Sequence, residues 1–211
     1  MSENKKLIIG LVDADLMDGG TRHPNLVMLK LAGFLHDNNI PFELIEDEND
    51  DIEKYHLVYI SKVFTFTKDP KFHKNTKLEG KVDKFRFGGT GYYATETNIS
   101  KFRKSRAEDM SQLENDSFLN QYPNKRGGRK TMGIDMERQM PYYHLYDKYV
   151  KRKIEEGKKK TYFKDYLDYS IGFLTRGCFR HCPFCVNKLE KSILPYSKLE
   201  WFMDSEKDEN G

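Results

Sequence analysis

Cysteine is missing from the first 177 residues of this 211-residue chain, and the three that follow, Cys178, Cys182 and Cys185, fall within eight positions. A secreted scaffold held by disulfides would spread an even number of cysteines along its length, so the clustering implies a reducing compartment and a cytoplasmic location. No apolar run approaches the roughly eighteen residues of a spanning helix, which excludes one, and no membrane partner is expected. The N-terminus lacks the long apolar core and small-residue cleavage site of a secretory signal. An excess of one charge is missing too. Lys and Arg number 36 against 33 Asp and Glu, and a net of +3 does not argue for a nucleic-acid partner. Hydrophobic residues are scarce at 37%, but aromatics reach 13%, with 13 Tyr and 14 Phe, enough to build a core and to exclude a disordered chain.

What is present begins as alternating strand and helix. Leu7-Ile-Ile-Gly-Leu-Val-Asp13 is a short continuous apolar run, the pattern of a strand covered on both faces, with Asp13 and Asp15 where it ends. Gly19-Gly20-Thr21 predicts a turn, and Pro24 suits the first position of a helix. Leu26, Leu29, Leu31, Phe34 and Leu35 give that helix an apolar face that ends around Asn38-Asn39. Phe42-Glu-Leu-Ile45, residues 57–66 and Phe85-Arg-Phe87 predict three more strands, the last stopped by Gly88-Gly89-Thr90-Gly91. The alternation predicts an α/β fold with a mainly parallel sheet. Residues 101–160 hold 16 Lys and Arg against 9 Asp and Glu, whereas the rest of the chain holds 20 against 24. The expected organisation is a Rossmann-like domain over 1–94, a basic linker with short helices over 95–165, and a further domain that begins at 166. A strand over 169–175 is expected to deliver the chain to the cysteines.

The cysteine segment reads Gly172-Phe-Leu-Thr-Arg-Gly-Cys-Phe-Arg-His-Cys-Pro-Phe-Cys185, a Cys-x3-Cys-x2-Cys spacing. Thiolates are the ligands of iron–sulfur clusters, and three on one tight loop can bind three irons of a cubane, leaving the fourth open to a small molecule. Gly177 lets the chain turn as it leaves the strand, and Pro183 stiffens the loop. Arg176 and Arg180 could offset the negative charge of such a cluster. Other readings compete. Cys178, His181, Cys182 and Cys185 form a sound zinc ligand set, although zinc sites usually draw on two separated pairs. Cys182-Pro-Phe-Cys185 is also a dithiol pattern, but a glutaredoxin needs more chain downstream than remains. Three structural thiols on a polar loop complete the alternatives.

A strand that ends in Cys-x3-Cys-x2-Cys, with Phe184 just before the last cysteine, resembles the start of a radical S-adenosylmethionine (radical SAM) enzyme. The resemblance implies that Cys178, Cys182 and Cys185 bind a 4Fe–4S cluster whose open iron chelates S-adenosyl-L-methionine, with Phe184 beside the adenine. It implies cleavage of the sulfonium by one electron from a reductant such as flavodoxin or ferredoxin, to act on an unknown substrate. Upstream, His23-Pro-Asn-Leu-Val-Met-Leu-Lys-Leu31, residues 58–66, Gly88-Gly-Thr-Gly-Tyr92 and Pro141-Tyr-Tyr-His-Leu-Tyr146 are similar, in order, to one group of such proteins with an N-terminal cobalamin-binding-like domain.

Cobalamin ligated by histidine is not expected, which leaves open only cobalamin held without a lower ligand. Asp15-Leu-Met-Asp-Gly-Gly20 puts Met17 where the Asp-x-His-x-x-Gly motif has its histidine, and a thioether is a weak substitute. Gly88, Gly89 and Gly91 could let a ligand approach the backbone; a simple strand-to-helix turn is the plainer reading. Lys62 could reach a phosphate or a carboxylate. The basic run from Lys148 to Lys160, with Tyr142, Tyr143, Tyr146, Tyr149 and Tyr162 nearby, is read as a solvated helix face in preference to an RNA or DNA surface. Completing a radical SAM barrel would take on the order of 150 residues after the cluster loop. Only 26 follow Cys185, so the expectation is the N-terminal part of such an enzyme. Residues 192–202 are expected to start the first barrel helix. The alternative function is a non-catalytic zinc or iron–sulfur binding module.

Overall fold

The first apolar run forms strand β1 (Ile9–Asp13), buried at every residue. In this computed structural model, which describes residues 7–74, 84–93, 113, 115–126, 132–180 and 192–204, it is joined by β2 (Phe42–Leu44), β3 (Leu57–Ser61) and β4 (Phe85–Gly88). The order is β2-β1-β3-β4 and every pairing is parallel, with Ile9 level with both Phe42 and Leu57 and Val58 level with Phe85. The protein is a mixed α/β protein with a Rossmann-like parallel sheet, as the alternation of runs predicts.

Side chains alternate across the pleat, so each strand feeds two cores. Ile9, Leu11, Leu57 and Tyr59 meet the apolar face of helix α2 (Leu26–Asp37). Val12, Val58, Ile60 and Phe85 meet Ile45, Ile52 and Phe72 on the opposite face. A short helix α1 (Ala14–Gly19) follows β1 directly, where the sequence predicts no helix. Pro24 is not the first residue of α2. Asn25 takes the cap, its side chain accepting the Val27 and Met28 N–H groups, which leaves Pro24 one residue outside. The helix stops as expected, with Asn38 donating back to the Phe34 carbonyl and Asn39 at φ +56°.

Strand β3 is shorter than the expected 57–66. The Asp15 carboxylate accepts the N–H of Val63 at 2.7 Å and of Phe64 at 3.3 Å, so this stretch bonds to a side chain and leaves the ladder. Beyond β4 comes α3 (Thr90–Tyr93). Among the described residues of 95–165, expected as a basic linker with short helices, 3₁₀ turns form at Leu119–Gln121 and Tyr143–Tyr146 and a helix α4 at Asp147–Glu155, with α5 (Lys164–Leu167) at the end of the stretch. They lie against the sheet. Tyr143, Tyr146, Tyr149, Phe163 and Tyr166 share one cluster with Ile9, Leu11, Phe34 and Leu35.

The expected strand over 169–175 is not formed. The strand proper is only β5 (Thr175–Arg176), antiparallel to β6 (Leu194–Pro195), with the Leu174 and Phe173 carbonyls just before it accepting the Tyr196 and Ser197 N–H groups. Upstream of it the Ile171 N–H donates to the Tyr143 hydroxyl at 2.8 Å, a side-chain bond in place of a ladder bond. Residues 192–202 do not start an α-helix either: β6 is followed by a single 3₁₀ turn, Leu199–Trp201. No described residues form a barrel.

Candidate functional site at the carboxyl ends of the strands

In a parallel sheet the crevice opens where successive connections leave in opposite directions, outside the carboxyl ends of the strands. Here that point lies between β1 and β3, because β1 leads to β2 on one side and β3 to β4 on the other. A cavity of about 510 Å³ opens there, with Asp13, Asp15, Thr21, Asn25, Phe64 and Phe66 among its walls. Phe64 and Phe66 stack on each other 5.2 Å apart, Phe66 being 81% exposed.

Beneath that cavity lies a chain of buried polar groups. Tyr146 donates its hydroxyl to the Asp13 carboxylate at 2.9 Å and accepts the Asn25 N–H at 3.2 Å. The Asn25 amide donates to the Ser61 hydroxyl at 2.9 Å. Asp13 also caps α1 by accepting the Leu16 N–H. Burial pushes the Asp13 carboxyl up to about 6, against the lowering effect of those two donors and with Asp15 repelling it as well. Burial and the facing Asp13 raise the Tyr146 hydroxyl well above the ordinary tyrosine range, so it stays a donor. Asp15 also accepts the Thr67 hydroxyl at 2.5 Å. Met17, in the position of the cobalamin-type histidine, packs against the second apolar cluster.

A second cavity, about 180 Å³, lies over the ends of β3 and β4. Its walls are mostly apolar and include Val27, Met28, Phe87, Met136 and Phe173; Lys30, Arg86, Asp116, Glu137 and Arg176 supply the charge. Gly88 and Gly89 also line it, yet the space the glycines leave is taken by the chain itself. Gly89 has φ +97°, and a side chain on Gly89 would collide with the Lys62 carbonyl and one on Gly91 with the Lys62 side chain and the Phe64 carbonyl. Lys62 is buried and already has its carboxylate: it meets Asp69 at 2.6 Å and lies 4.4 Å from the centre of the Tyr92 ring.

Of the three cysteines only Cys178 lies among the described residues; Cys182, Cys185, Phe184, His181 and Pro183 lie outside them. Cys178 is half-buried and free, and its sulfur accepts the Arg180 N–H at 3.4 Å. Gly177, at φ +99°, makes the turn into it. The Arg176 guanidinium lies 4.0 Å from the centre of the Tyr196 ring and 5.0 Å from that of Phe173. Among the described residues no group of three or more His, Cys, Asp or Glu is placed to hold a metal, and no helix is long and apolar enough to cross a membrane.

The basic run turns its cations outward and its aromatics inward. Tyr143, Tyr146 and Tyr149 are buried, and only Tyr162 of the expected stacking residues is more than half exposed, at 51%. Arg152 pairs with Glu46 and Glu156, and Lys153 pairs with Glu156. Two residues central to these cavities, Asn25 and Lys30, did not stand out in the sequence. Lys30 had one signal: it sits between Leu26 and Phe34 at spacings of four, a cation in an otherwise apolar helix row.

Fold and site together define an α/β protein with a Rossmann-like parallel sheet and two cavities along its carboxyl edge. No family model, curated protein or solved structure matches the chain.

Proposed function

We propose that the chain binds a 4Fe–4S cluster through Cys178, Cys182 and Cys185 and performs radical SAM chemistry on an unidentified substrate. The observation that carries this reading is the placement of all three cysteines at Cys-x3-Cys-x2-Cys spacing, with none elsewhere in 211 residues. Several features around Cys178 fit the donor set. Its thiol is free and half-buried, reached from a short strand through the positive-φ turn at Gly177. The N–H of Arg180 donates to its sulfur, the kind of bond that tunes a thiolate bound to iron. Arg176, two residues before it, brings a cation to the loop and lines the cavity over β3 and β4. When bound, such a cluster supplies the electron that splits the sulfonium of S-adenosylmethionine. The chain's own part is to hold the ligands, offset their charge and bring the loop beside the sheet's carboxyl edge. The electron would come from a low-potential donor of the flavodoxin or ferredoxin kind.

Anaerobic reconstitution with iron, zinc and sulfide tests the reading. A brown protein with about four irons per chain is expected, and replacing Cys178, Cys182 and Cys185 together by Ala should abolish iron uptake. Preference for one zinc and no sulfide would replace the reading with the module alternative. Stoichiometric iron on the triple variant would reject cysteine ligation. Reductive formation of 5′-deoxyadenosine with dithionite then separates an enzyme from an inert cluster carrier.

A further inference from the structure

Lys30 carries a buried amine that the cluster reading does not use. It lies inside α2 on the row Leu26, Lys30, Phe34, is only 8% exposed, and lines the cavity of about 180 Å³ over β3 and β4. Its nitrogen donates to two backbone carbonyls, Met136 at 2.6 Å and Glu137 at 3.1 Å, and both of those residues line the cavity as well. A neutral amine carries two N–H bonds and one lone pair. The two carbonyls take both N–H bonds, so the neutral form is fully satisfied where it stands and its lone pair is left to react. The charged form brings a third N–H, whereas among the described residues these two oxygens are the acceptors it meets.

Burial is the largest influence on this group and lowers it from the ordinary lysine range. Arg176 acts in the same direction, and the carboxylates of Glu137 and Asp135 pull the other way without cancelling the effect. Arg86 and Asp116, the other charges on the wall, pair with each other at 3.2 Å. A desolvated lysine that gives up its proton more readily is the form of amine that attacks carbonyl groups. Around it the wall is apolar, with Val27, Met28, Phe87, Met136 and Phe173 facing the space.

We propose that Lys30 is a covalent binding site for a small apolar aldehyde, which it takes up as an imine inside this cavity. The nitrogen lone pair attacks the carbonyl carbon, the carbinolamine so formed loses its oxygen as water, and a C=N bond replaces the C=O bond. No oxidant or reductant is required. The protonated imine keeps one N–H for the nearer carbonyl, that of Met136. The apolar walls select an uncharged body, because a charged one would have to shed its water against them. Size sets the upper limit: an apolar cavity of about 150 Å³ holds a benzene ring, so a phenyl or branched alkyl aldehyde fits and a nucleotide does not. The site rests on Lys30 and its cavity, not on the cysteines, so it stands or falls separately from the cluster reading.

The test treats the full chain with benzaldehyde or with glyoxylate at neutral pH, each with cyanoborohydride, which reduces an imine to a stable secondary amine. Peptide mass mapping then locates and times the modified lysines. Benzaldehyde is expected to modify Lys30 at least about tenfold faster than the average of the other lysines. Glyoxylate, an aldehyde on a charged body, should show no preference for Lys30. Benzyl alcohol, the same apolar body without the carbonyl, should slow the reaction at Lys30 alone, and urea should abolish the preference. Val27→Phe fills the cavity from a partly exposed position and should slow benzaldehyde at Lys30 at least about tenfold while the other lysines react as before. Lys30 reacting no faster than the other lysines, an equal preference with glyoxylate, no protection by benzyl alcohol, or an unchanged rate at Lys30 in the Val27→Phe chain would overturn the proposal.

Discussion

Asp13 ends β1 with its carboxylate sealed from water, and that costs more than its two hydrogen bonds offset: its carboxyl rises from an ordinary 3.8 to about 6. The folded protein therefore holds the proton more tightly than the unfolded chain does. The stability this group contributes is fully present below about pH 4 and is lost as the pH rises through 6. At neutral pH the ionised carboxylate is tolerated at a cost of about 3 kcal/mol, because each tenfold gain in proton affinity on folding is worth about 1.4 kcal/mol. Asp13→Asn keeps the shape and removes the ionisation. Relative to wild type, its unfolding free energy should improve steadily from pH 4 to pH 7, by up to about 3 kcal/mol, whatever constant offset the lost acceptor introduces. Urea melts of both proteins across that range measure it; a difference that does not change with pH would show that Asp13 does not titrate there.

Asn25 is where helix α2 is joined to strand β3. Its side-chain oxygen accepts two helix N–H groups while its amide donates to Ser61 at the end of the strand, and its own N–H reaches Tyr146. Asn25→Ala removes the cap and strands the buried Ser61 hydroxyl, so a loss of about 2–3 kcal/mol is expected in equilibrium urea unfolding. Asn25→Asp keeps the cap but brings a third carboxylate beside Asp13 and Asp15, and should recover only part of the loss. A loss under about 0.5 kcal/mol for the alanine variant would mean that water replaces these bonds. At this scale the sequence was most readable. Strands β1 and β3 are buried on both faces and so appear as short apolar runs, and α2 declares itself by its spacing. The readings failed where a side chain took backbone bonds away from a ladder. Asp15 draws residues 63 and 64 off β3, and Tyr143 holds Ile171 where a strand looked natural. No local pattern announces a bond between residues 48 or 28 positions apart.

For the whole molecule the decisive contacts are those that cross the chain. Tyr146 lies 133 residues from Asp13, yet it is fully buried against it and against Asn25. Tyr143, Tyr146, Tyr149, Phe163 and Tyr166 pack beside α2 on the same side of the sheet, and the rings of the last four meet edge-on or tilted at 5.2–6.2 Å. The candidate site depends on the same layer, since Tyr146 supports Asp13 from beneath and the chain around Met136 and Glu137 holds Lys30. None of this could be read from a stretch whose most visible trait was its positive charge. A fragment of residues 1–94 would keep all four strands of the sheet and α2 but lose those five aromatic side chains. Burying each is worth about 1.5–3 kcal/mol, against a net stability of about 5–15 kcal/mol for a domain. The fragment should therefore lack a cooperative transition: ellipticity should drift with urea, and an apolar dye should bind it where it does not bind the full chain. A sharp two-state melt of 1–94 with no dye uptake would show that the sheet and α2 are a self-sufficient unit and that the aromatic layer only rests on it.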